Sequence, residues 1–438
     1  MKQRANRNRK INLVTLGCSK NLVDSERLAR QLVANGLEII HDAEPADART
    51  VIVNTCGFIR DAKEESIQSI LGFAKARQKG EIDRLYVMGC LSERYKDVLQ
   101  KEIGEVDAYF GVHSLEEIIG TLQLDYRKDL LGERLLSTPS HYAYLKISEG
   151  CDRTCSFCAI PLIRGRHISR PADELVKEAE YLAASGAREL ILIAQDLTYY
   201  GRDLGGKSRL ADLLLALGDV QGIEWIRLHY AYPASFPVEI LSLMRQHPKI
   251  CKYLDIPFQH ITDRMLTRMR RNISEEATRE LLEKIRAEVP GIAIRTTMIA
   301  GHPGETPEDF DALCNFIRTA RFERLGVFSY SHEEDTYAWK NYREDVPAPV
   351  REERMGTLLS IQQEISQALN HEKIGKVLPV LIDKVEGGFY LARSEYDSPD
   401  VDNEIHIPED LARWEKGSFH RVKIVGASSF DLEAVPAE

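Results

Sequence analysis

Residues 143–158 read AYLKISEGCDRTCSFC, a short β-prone run followed closely by Cys151, Cys155 and Cys158. The run is the first of six such segments, and amphipathic helical patterns such as 172–184 and 276–288 separate them. The six segments are residues 143–147, 189–193, 225–229, 253–257, 292–299 and 324–328. Repeated strand–helix units predict a closed or partial parallel barrel, with the cysteines at the face where barrel active sites form.

A second set of three cysteines lies near the amino terminus, and each one ends an apolar run. The runs are LVTLGC at 13–18, VIVNTC at 51–56 and LYVMGC at 85–90. With helices expected at 22–34 and 61–79, they predict a parallel α/β sheet with strands at 11–17, 50–55 and 85–89. Ligands gather at the carboxyl ends of parallel strands, so Cys18, Cys56 and Cys90 are expected to converge. One strand-end cysteine would more often be a small buried residue, but three equivalent positions favour a site.

The carboxy-terminal fifth of the sequence predicts a long helix and then a small β module. Residues 351–369 have the helical pattern, and from His371 the short strands VLPVLID, GGFYLAR, EIHIP and RVKIVG suggest a small all-β barrel. The fold class is therefore α/β with three domains. They are a parallel-sheet α/β domain at 1–132, a partial (β/α)6 barrel at 138–370 and the all-β barrel at 371–438.

The composition is that of a water-soluble globular protein, with 43% hydrophobic and 29% charged residues among 438. No apolar run approaches the roughly 18–20 residues that cross a bilayer, so no membrane partner is expected. The first ten residues, MKQRANRNRK, are basic without a following apolar segment, which predicts a mobile tail and no secretory signal. Eight cysteines then favour metal ligation in a reducing compartment, and we expect a cytoplasmic location.

Three cysteines without a fourth ligand favour an iron–sulfur cluster over zinc. A structural zinc ion takes four protein ligands, and His167, nine residues beyond Cys158, matches no common zinc spacing. Three thiolates can hold a four-iron cube and leave one iron open for chemistry.

The CxxxCxxC spacing, with Phe157 before the last cysteine, resembles the radical S-adenosylmethionine superfamily. The resemblance implies that the open iron of a [4Fe-4S] cluster binds the amino and carboxylate groups of S-adenosylmethionine. An electron from the reduced cluster then breaks a carbon–sulfur bond and produces a deoxyadenosyl radical.

The same resemblance implies cofactor contacts at the strand ends of the barrel. The turn at 299–305, IAGHPGE, is similar to the motif that contacts the adenine, and Gln195 and Asp196 stand where the amino acid moiety is bound. Each polar strand-end residue alone would more often be a rim or core residue, but their shared position favours a site. The candidate cofactor contacts are Phe157, Gln195, Asp196, Arg227, His229, Gln259, Ile299, Gly301, Gly304 and Glu305.

Two basic clusters are less specific. Residues 164–170 and 268–271 would usually form solvated faces, although an arginine near a cofactor carboxylate is a reasonable use. Cys251 and Cys314 lie outside both triplets and are expected to be inert core residues.

Both triplets and the terminal β module together resemble the radical S-adenosylmethionine methylthiotransferases over essentially the whole chain. The resemblance implies that Cys18, Cys56 and Cys90 hold an auxiliary [4Fe-4S] cluster that handles sulfur, while Cys151, Cys155 and Cys158 hold the radical-generating one. One S-adenosylmethionine supplies the methyl group and another the radical. The terminal module resembles the TRAM domain.

The substrate depends on the branch of this family. LGCSKNLVDSE at 16–26 is similar to the branch that modifies the β-carbon of an aspartate in the twelfth small-subunit ribosomal protein. The tRNA adenosine branch typically reads GCQMN there and is the alternative. An alternative from another class is a non-catalytic iron–sulfur electron carrier or scaffold, and a third is a zinc-stabilised RNA-binding protein.

Charge favours the protein substrate. The whole chain has a net charge of −10, and residues 371–438 have eight Lys or Arg against fourteen Asp or Glu, a net charge of −6. Such a module repels phosphate and attracts a basic ribosomal protein, so direct nucleic-acid binding is not expected. The stretch SEYDSPDVDNE at 394–404 is the predicted contact, through Glu395, Asp397, Asp400 and Asp402. A reductant is the other expected partner.

Overall fold

The computed structural model describes residues 9–44 and 47–437. Residues 1–8 of the predicted basic tail lie outside the described residues. Lys10 was predicted to belong to that tail, but it begins the first strand. None of the described helices combines the length and apolarity that crossing a bilayer requires.

The amino-terminal part of the chain forms a parallel sheet with the strand order β2-β1-β3-β4-β5. Its side chains alternate between two buried clusters, with Leu13 and Ile52 in one and Val14 and Val53 in the other, so both faces of the sheet are covered. In chain order the elements are β1 (Lys10–Thr15), α1 (Ser19–Ala34), β2 (Glu38–His41), β3 (Thr50–Thr55), α2 (Arg60–Gln78), β4 (Arg84–Gly89), α3 (Cys90–Glu102), β5 (Ala108–Tyr109) and α4 (Leu115–Thr121).

The central part forms a six-stranded sheet with the order β13-β12-β11-β10-β9-β6. Spatial order follows chain order, and β6 and β13 are the two edges, as expected for a partial barrel. The elements are β6 (Tyr142–Lys146), β7 (Ser148–Glu149), α5 (Ile160–Arg164), β8 (Ile168–Ser169), α6 (Ala172–Ala184), β9 (Glu189–Ile193), α7 (Arg202–Gly205), α8 (Leu210–Gly218), β10 (Trp225–Leu228), α9 (Glu239–Gln246), β11 (Ile250–Asp255), α10 (Asp263–Arg268), α11 (Glu275–Glu288), β12 (Ala293–Ala300), α12 (Pro307–Ala320), β13 (Arg324–Ser329), α13 (Tyr337–Asn341) and α14 (Ala348–His371).

The carboxy-terminal part forms a closed barrel with the strand order β14-β15-β16-β18-β17. Inward-facing residues such as Val380, Ile407 and Ile424 fill it. The strands are β14 (Val377–Glu386), β15 (Phe389–Ser394), β16 (Ile405–Pro408), β17 (Phe419–Ala427) and β18 (Leu432–Pro436). The predicted fold class is confirmed in all three parts.

By packing, the chain divides into two compact units. The first comprises the described residues of Met1–Thr138 with Tyr144–Arg153 and Ala159–Tyr181. The second comprises Pro139–Ala143, Thr154–Cys158 and the described residues of Leu182–Glu438. The second unit therefore contains the carboxy-terminal barrel together with most of the six-stranded sheet, and the three domain boundaries stay a prediction.

Within the second unit, buried charges join the carboxy-terminal barrel to the six-stranded sheet. Glu189 of β9 pairs with Arg227 of β10 at 2.7 Å and with Arg393 of β15 at 2.8 Å, and all three side chains are buried. Burial acts to raise the pKa of the Glu189 carboxyl, but the two guanidinium charges outweigh it and leave the pKa below its ordinary value. Glu189 is therefore ionised, and its negative charge balances part of the positive charge of the buried Arg227 and Arg393.

The structure corrects the predicted substrate contact for Asp397 and Asp402 of the acidic stretch at 394–404, while the contact through Glu395 and Asp400 stays a prediction. Asp397 is fully buried and pairs with Arg324, and the Asp402 carboxylate accepts a hydrogen bond from the Tyr253 hydroxyl at 2.7 Å. Because these acids balance charge and hydrogen bonds inside the chain, neutralising them would disturb the fold before it affected binding.

We expect Glu189→Gln to destabilise the second unit by about 3–5 kcal/mol, because it leaves the buried Arg227 without its counter-charge and leaves Arg393 with Asp383 alone. Glu224→Gln is the matched control: Glu224 pairs with Arg188 at 3.3 Å and its side chain is 52% exposed. That loss should stay below about 1 kcal/mol. Differential scanning calorimetry measures both, and equal Tm values for the two variants would contradict the assignment.

Candidate active site

Three cysteines stand at the carboxyl ends of neighbouring strands in the first compact unit. Cys18 lies at the amino end of α1 after β1, Cys56 directly follows β3, and Cys90 begins α3 after β4. The three strands are adjacent in the sheet, and the Cys90 thiol interacts electrostatically with those of both Cys18 and Cys56. Cys18 is exposed and the other two are buried. We call this set the strand-end cysteines.

Glycines before Cys18 and Cys90 allow this close approach. Gly17 has φ +95°, and a Cβ atom there would lie 2.7 Å from the Cβ of Cys56. Gly89 has φ +98°, and a Cβ atom would lie 2.7 Å from the carbonyl oxygen of Thr55. A side chain at either position would force the strand ends apart, since glycine alone combines this backbone angle with the missing Cβ.

A buried arginine contacts one of the strand-end cysteines. Arg164 donates to the Sγ of Cys90 at 3.3 Å and to the Oδ1 of Asn21 at 2.6 Å. It also pairs with Asp24 at 2.8 Å and with Glu149 at 3.2 Å. Burial acts to lower the pKa of Arg164, but the neighbouring negative charges outweigh it and raise the pKa. The arginine therefore contacts a thiol, an amide and two side-chain carboxylates inside the fold, where the sequence favoured a solvated face.

The environment of the strand-end cysteines disfavours isolated thiolates. Burial raises the pKa of Cys56 and raises that of Cys90 to about 12. Iron coordination removes such protons, because the metal charge compensates the thiolate. Cys56 and Cys90 are therefore protonated near pH 7 unless a metal takes the place of the proton.

The three thiols and the hydroxyls beside them form a donor set that an iron–sulfur cluster could use. Among the described residues, no three His, Cys, Asp or Glu side chains surround a point that one metal ion could occupy. A cube distributes its thiolates over separate irons and accepts a wider spacing. The Oγ atoms of Ser19, beside Cys18, and Ser92, two residues after Cys90, are buried without a hydrogen-bond partner. Such donors are suited to the sulfides of a cluster.

The compact triplet lies between β7 and α5, and Cys151, Cys155 and Cys158 are all partly exposed. In the first unit, the Sγ of Cys151 accepts the backbone N–H of Arg153 at 3.4 Å. In the second unit, Cys155 carries its own buried arginine: Arg271 donates to its Sγ at 3.2 Å.

The residues between the last two cysteines are anchored in the second unit. The N–H of Ser156 donates to the carbonyl of Met269 at 2.9 Å, and Phe157 packs against Ile299. Burial lowers the pKa of His302 to about 4, so its imidazole is neutral near pH 7. Its Nδ1 faces the Pro303 carbonyl at 3.1 Å and must carry the proton, so its Nε2 accepts from the Ser156 hydroxyl at 3.1 Å.

Polar residues follow two strands of the six-stranded sheet, as the sequence predicted. Asp196, after β9, accepts hydrogen bonds from the N–H of Thr198 at 2.9 Å and from its hydroxyl, and Gln195 precedes it. Gln259, after β11, has φ +75°, and its buried Oε1 has no hydrogen-bond partner. A buried amide oxygen of this kind fits a donor group on a ligand.

The turn at 299–305 is built around its own glutamate. Gly301 and Gly304 have φ values of +77° and +84°. Glu305 accepts the N–H of Gly301 at 2.7 Å and pairs with Arg354 at 2.6 Å. The glutamate therefore closes the turn, which leaves the glycine backbone to approach a ligand.

Two predicted cofactor contacts have partners in the carboxy-terminal barrel. Arg227 is fully buried; besides Glu189, it donates to the carbonyl of Glu395 at 2.7 Å. The Nε2 of His229 lies 2.9 Å from the hydroxyl of Ser398. This corrects the prediction for Arg227, whose guanidinium is used within the fold, and the role of His229 stays a prediction.

Sequence reasoning missed four residues whose side chains contact cysteine sulfur: Asn21, Arg164, Tyr232 and Arg271. The two arginines belong to the basic clusters that were interpreted as solvated faces. Their positions close to cysteine-rich segments were the available signal. Cys251 and Cys314 are buried, as expected for core residues.

Three family models match the chain. Residues 10–111 match the uncharacterized protein family UPF0004, residues 145–317 the radical SAM superfamily, and residues 374–436 the TRAM domain.

Curated relatives match the whole length. A Porphyromonas gingivalis protein named ribosomal protein uS12 methylthiotransferase RimO is 54% identical over 98% of this chain and 99% of its own. Proteins of the same name from Cytophaga hutchinsonii and Flavobacterium johnsoniae are each 53% identical, over 99% and 100% of both chains respectively.

Solved structures share the fold at low identity. The radical S-adenosylmethionine methyltransferase TsrM from Kitasatospora setae, with cobalamin and a [4Fe-4S] cluster, has a TM-score of 0.53 at 16% identity, covering 74% of this chain and 75% of that one. The cobalamin-dependent radical enzyme OxsB has a TM-score of 0.52 at 13% identity, covering 83% and 56%.

We expect Gly17→Ala to lower the iron content of the anaerobically reconstituted protein, because its Cβ atom would displace Cys56. Gly36→Ala is the matched control. Gly36 has φ +80°, but a Cβ atom there would lie 3.7 Å from the Nη2 of Arg9, which is an ordinary van der Waals distance. Both variants bear the backbone penalty of about 1–2 kcal/mol, and only Gly17→Ala adds the steric conflict. Equal iron content in both would show that the contact with Cys56 has no consequence.

Proposed function

This chain belongs to the RimO family, whose members are named ribosomal protein uS12 methylthiotransferases, and from that premise we propose its reaction. The protein is a radical S-adenosylmethionine enzyme that transfers a methylthio group to uS12. The target is the β-carbon of an aspartate. The observation that carries the proposal is the 54% identity over 98% of the chain, combined with two cysteine triplets.

Two [4Fe-4S] clusters serve this reaction. Cys151, Cys155 and Cys158 hold the cluster whose open iron binds S-adenosylmethionine, and the strand-end cysteines hold the auxiliary cluster that handles sulfur. The position of the three cysteines at adjacent strand ends, the close approach at Gly17 and the orphaned serine hydroxyls support the second assignment.

Residues at the strand ends of the six-stranded sheet would hold S-adenosylmethionine. Gln195 and Asp196 stand by its amino acid moiety, Gln259 offers its buried Oε1, and Gly301 and Gly304 bring backbone to the adenine. Phe157, Ile299 and His229 complete this proposed set. When bound, the cluster and S-adenosylmethionine supply a radical able to remove hydrogen from an unactivated carbon.

Two contacts hold the segment between Cys155 and Cys158 in place. His302 fixes Ser156 through a neutral imidazole, and Phe157 shields the neighbouring apolar cluster of Met265 and Ile299 from water. Water exclusion matters because a carbon radical must meet its target and not solvent.

A basic protein substrate suits the net charge of −10 better than tRNA does. We attribute the attraction to the long-range electric field of the chain and not to direct contacts with Asp397 and Asp402, because both have partners within the chain. Electrons come from an external reductant, and the protein acts in the cytoplasm without binding nucleic acid directly. The tRNA adenosine activity is the second candidate, favoured by the TRAM match at residues 374–436.

Iron and sulfide analysis tests the two clusters. We expect about eight irons per reconstituted chain, and about four after replacement of either triplet by alanine. Circular dichroism on each triple variant establishes that the fold is retained. Full iron in the strand-end triple variant would contradict an auxiliary cluster there.

Substrate choice is tested with purified components. The reconstituted enzyme, S-adenosylmethionine, a reductant and sulfide are incubated with a uS12 peptide or with unmodified tRNA, and mass spectrometry follows the product. We expect a methylthio group on the peptide aspartate, and loss of product in both triple variants. Modification of tRNA alone would transfer the assignment to the other branch.

A further inference from the structure

Each cysteine triplet has one sulfur that accepts a hydrogen bond from a buried arginine. In the first unit Arg164 lies 3.3 Å from the Sγ of Cys90, and in the second unit Arg271 lies 3.2 Å from the Sγ of Cys155. The two arginines are only 3% and 4% exposed. Neither contact follows from the cysteine spacing, and neither arginine is a cluster ligand.

Arg164 is held rigidly on the side away from the sulfur. Its Nη1 pairs with Asp24 at 2.8 Å and Glu149 at 3.2 Å, while its Nη2 serves both Asn21 and Cys90. The fork of the guanidinium is thus fully specified, so one N–H is aimed at the cysteine sulfur by its other bonds.

Arg271 is held by a different set of groups. It donates to the carbonyl of Pro257, and its guanidinium lies over the ring of Tyr232 at 4.3 Å from the ring centre. The Tyr232 hydroxyl in turn donates to the carbonyl of Arg271 at 2.8 Å and lies 3.6 Å from the Sγ of Cys155. An arginine side chain stays protonated in proteins, so its charge is retained beside the sulfur.

We propose that Arg164 and Arg271 are positioning residues, each of which fixes one thiolate and sets the reduction potential of one cluster. The inference rests on the proposed function, because it requires a cluster at each triplet. Reduction adds one electron to a cluster whose thiolates are already negative. A fixed buried cation that donates to a ligand sulfur stabilises the reduced form, and hydrogen bonds to sulfur are known determinants of cluster potential.

Each arginine should therefore set the reduction potential of its own cluster independently of the other cluster. Replacing Arg164 should lower the potential of the strand-end cluster, since Asp24 and Glu149 then face it with less compensation. Replacing Arg271 should lower the potential of the cluster held by the compact triplet. Each arginine donates directly to a sulfur of one triplet, and the Coulomb energy falls with distance, so each variant should act mainly on its own cluster.

The test is a potentiometric titration of the reconstituted full-length protein, monitored by electron paramagnetic resonance. Arg164→Gln and Arg271→Gln are compared with Arg164→Lys and Arg271→Lys, which keep the charge but lose the fork. The cluster signal that changes on adding S-adenosylmethionine identifies the compact-triplet cluster. Each glutamine variant should make its own cluster at least tenfold harder to reduce, which is about 59 mV for one electron. The lysine variants should fall between the glutamine variants and the wild type.

Matched controls come from the same basic clusters. Arg166, with an 89% exposed side chain, and Arg270, which lies over the Tyr337 ring, are each replaced by glutamine. Both should leave the two potentials unchanged, because Arg166 is exposed and screened by solvent, and the Arg270 guanidinium lies over the Tyr337 ring.

The outcomes separate the possible failures. Unchanged potentials in both glutamine variants, or equal shifts of both clusters in either one, would overturn this inference. If Arg164→Gln loses the strand-end cluster while Arg164→Lys retains it at a lowered potential, the positioning role is supported. Loss of that cluster from both would instead assign Arg164 to folding. Absence of both clusters from the wild type would refute the proposed function itself.

Discussion

A buried arginine has to be paired, and paired buried arginines hold the cysteine-bearing segments of this chain in place. In the first unit, Arg134 pairs with Glu26 of α1 at 2.9 Å, and Arg164 pairs with Asp24 of the same helix at 2.8 Å. Both bonds fix α1, whose amino end carries Cys18. An unpaired charge at such a position costs several kcal/mol, so these pairs leave the helix one stable placement.

The parallel sheet supplies the second constraint. Its strands end on one edge, so residues separated by dozens of positions in sequence stand side by side there. Gly17 then lets the backbone before Cys18 come close to the Cys56 side chain. Convergence thus comes from topology, and the final spacing comes from the absence of a Cβ atom. Neither the cysteines nor the glycine would make a site alone.

Much of this could be predicted from the sequence, because strands and helices follow local periodicity. The strand Glu189–Ile193 was predicted residue for residue. The two-residue strand Ala108–Tyr109 could not be found, since it is too short to show a period. Partner choice was harder still: Arg227 ends up beside Glu189 and the carboxy-terminal barrel because of long-range packing, which no local pattern encodes. The basic clusters were misjudged for the same reason.

The carboxy-terminal barrel shows why net charge does not describe a surface. Residues 371–438 have a net charge of −6, yet Asp397 is fully buried against Arg324. An acid that pairs with an arginine inside the protein forms a neutral pair with it, so the pair contributes little to the electric field at a distance. Attraction of a basic substrate therefore depends on the acids that remain exposed, such as Asp400, and specificity must come from shape and hydrogen bonding at the target rather than from total charge.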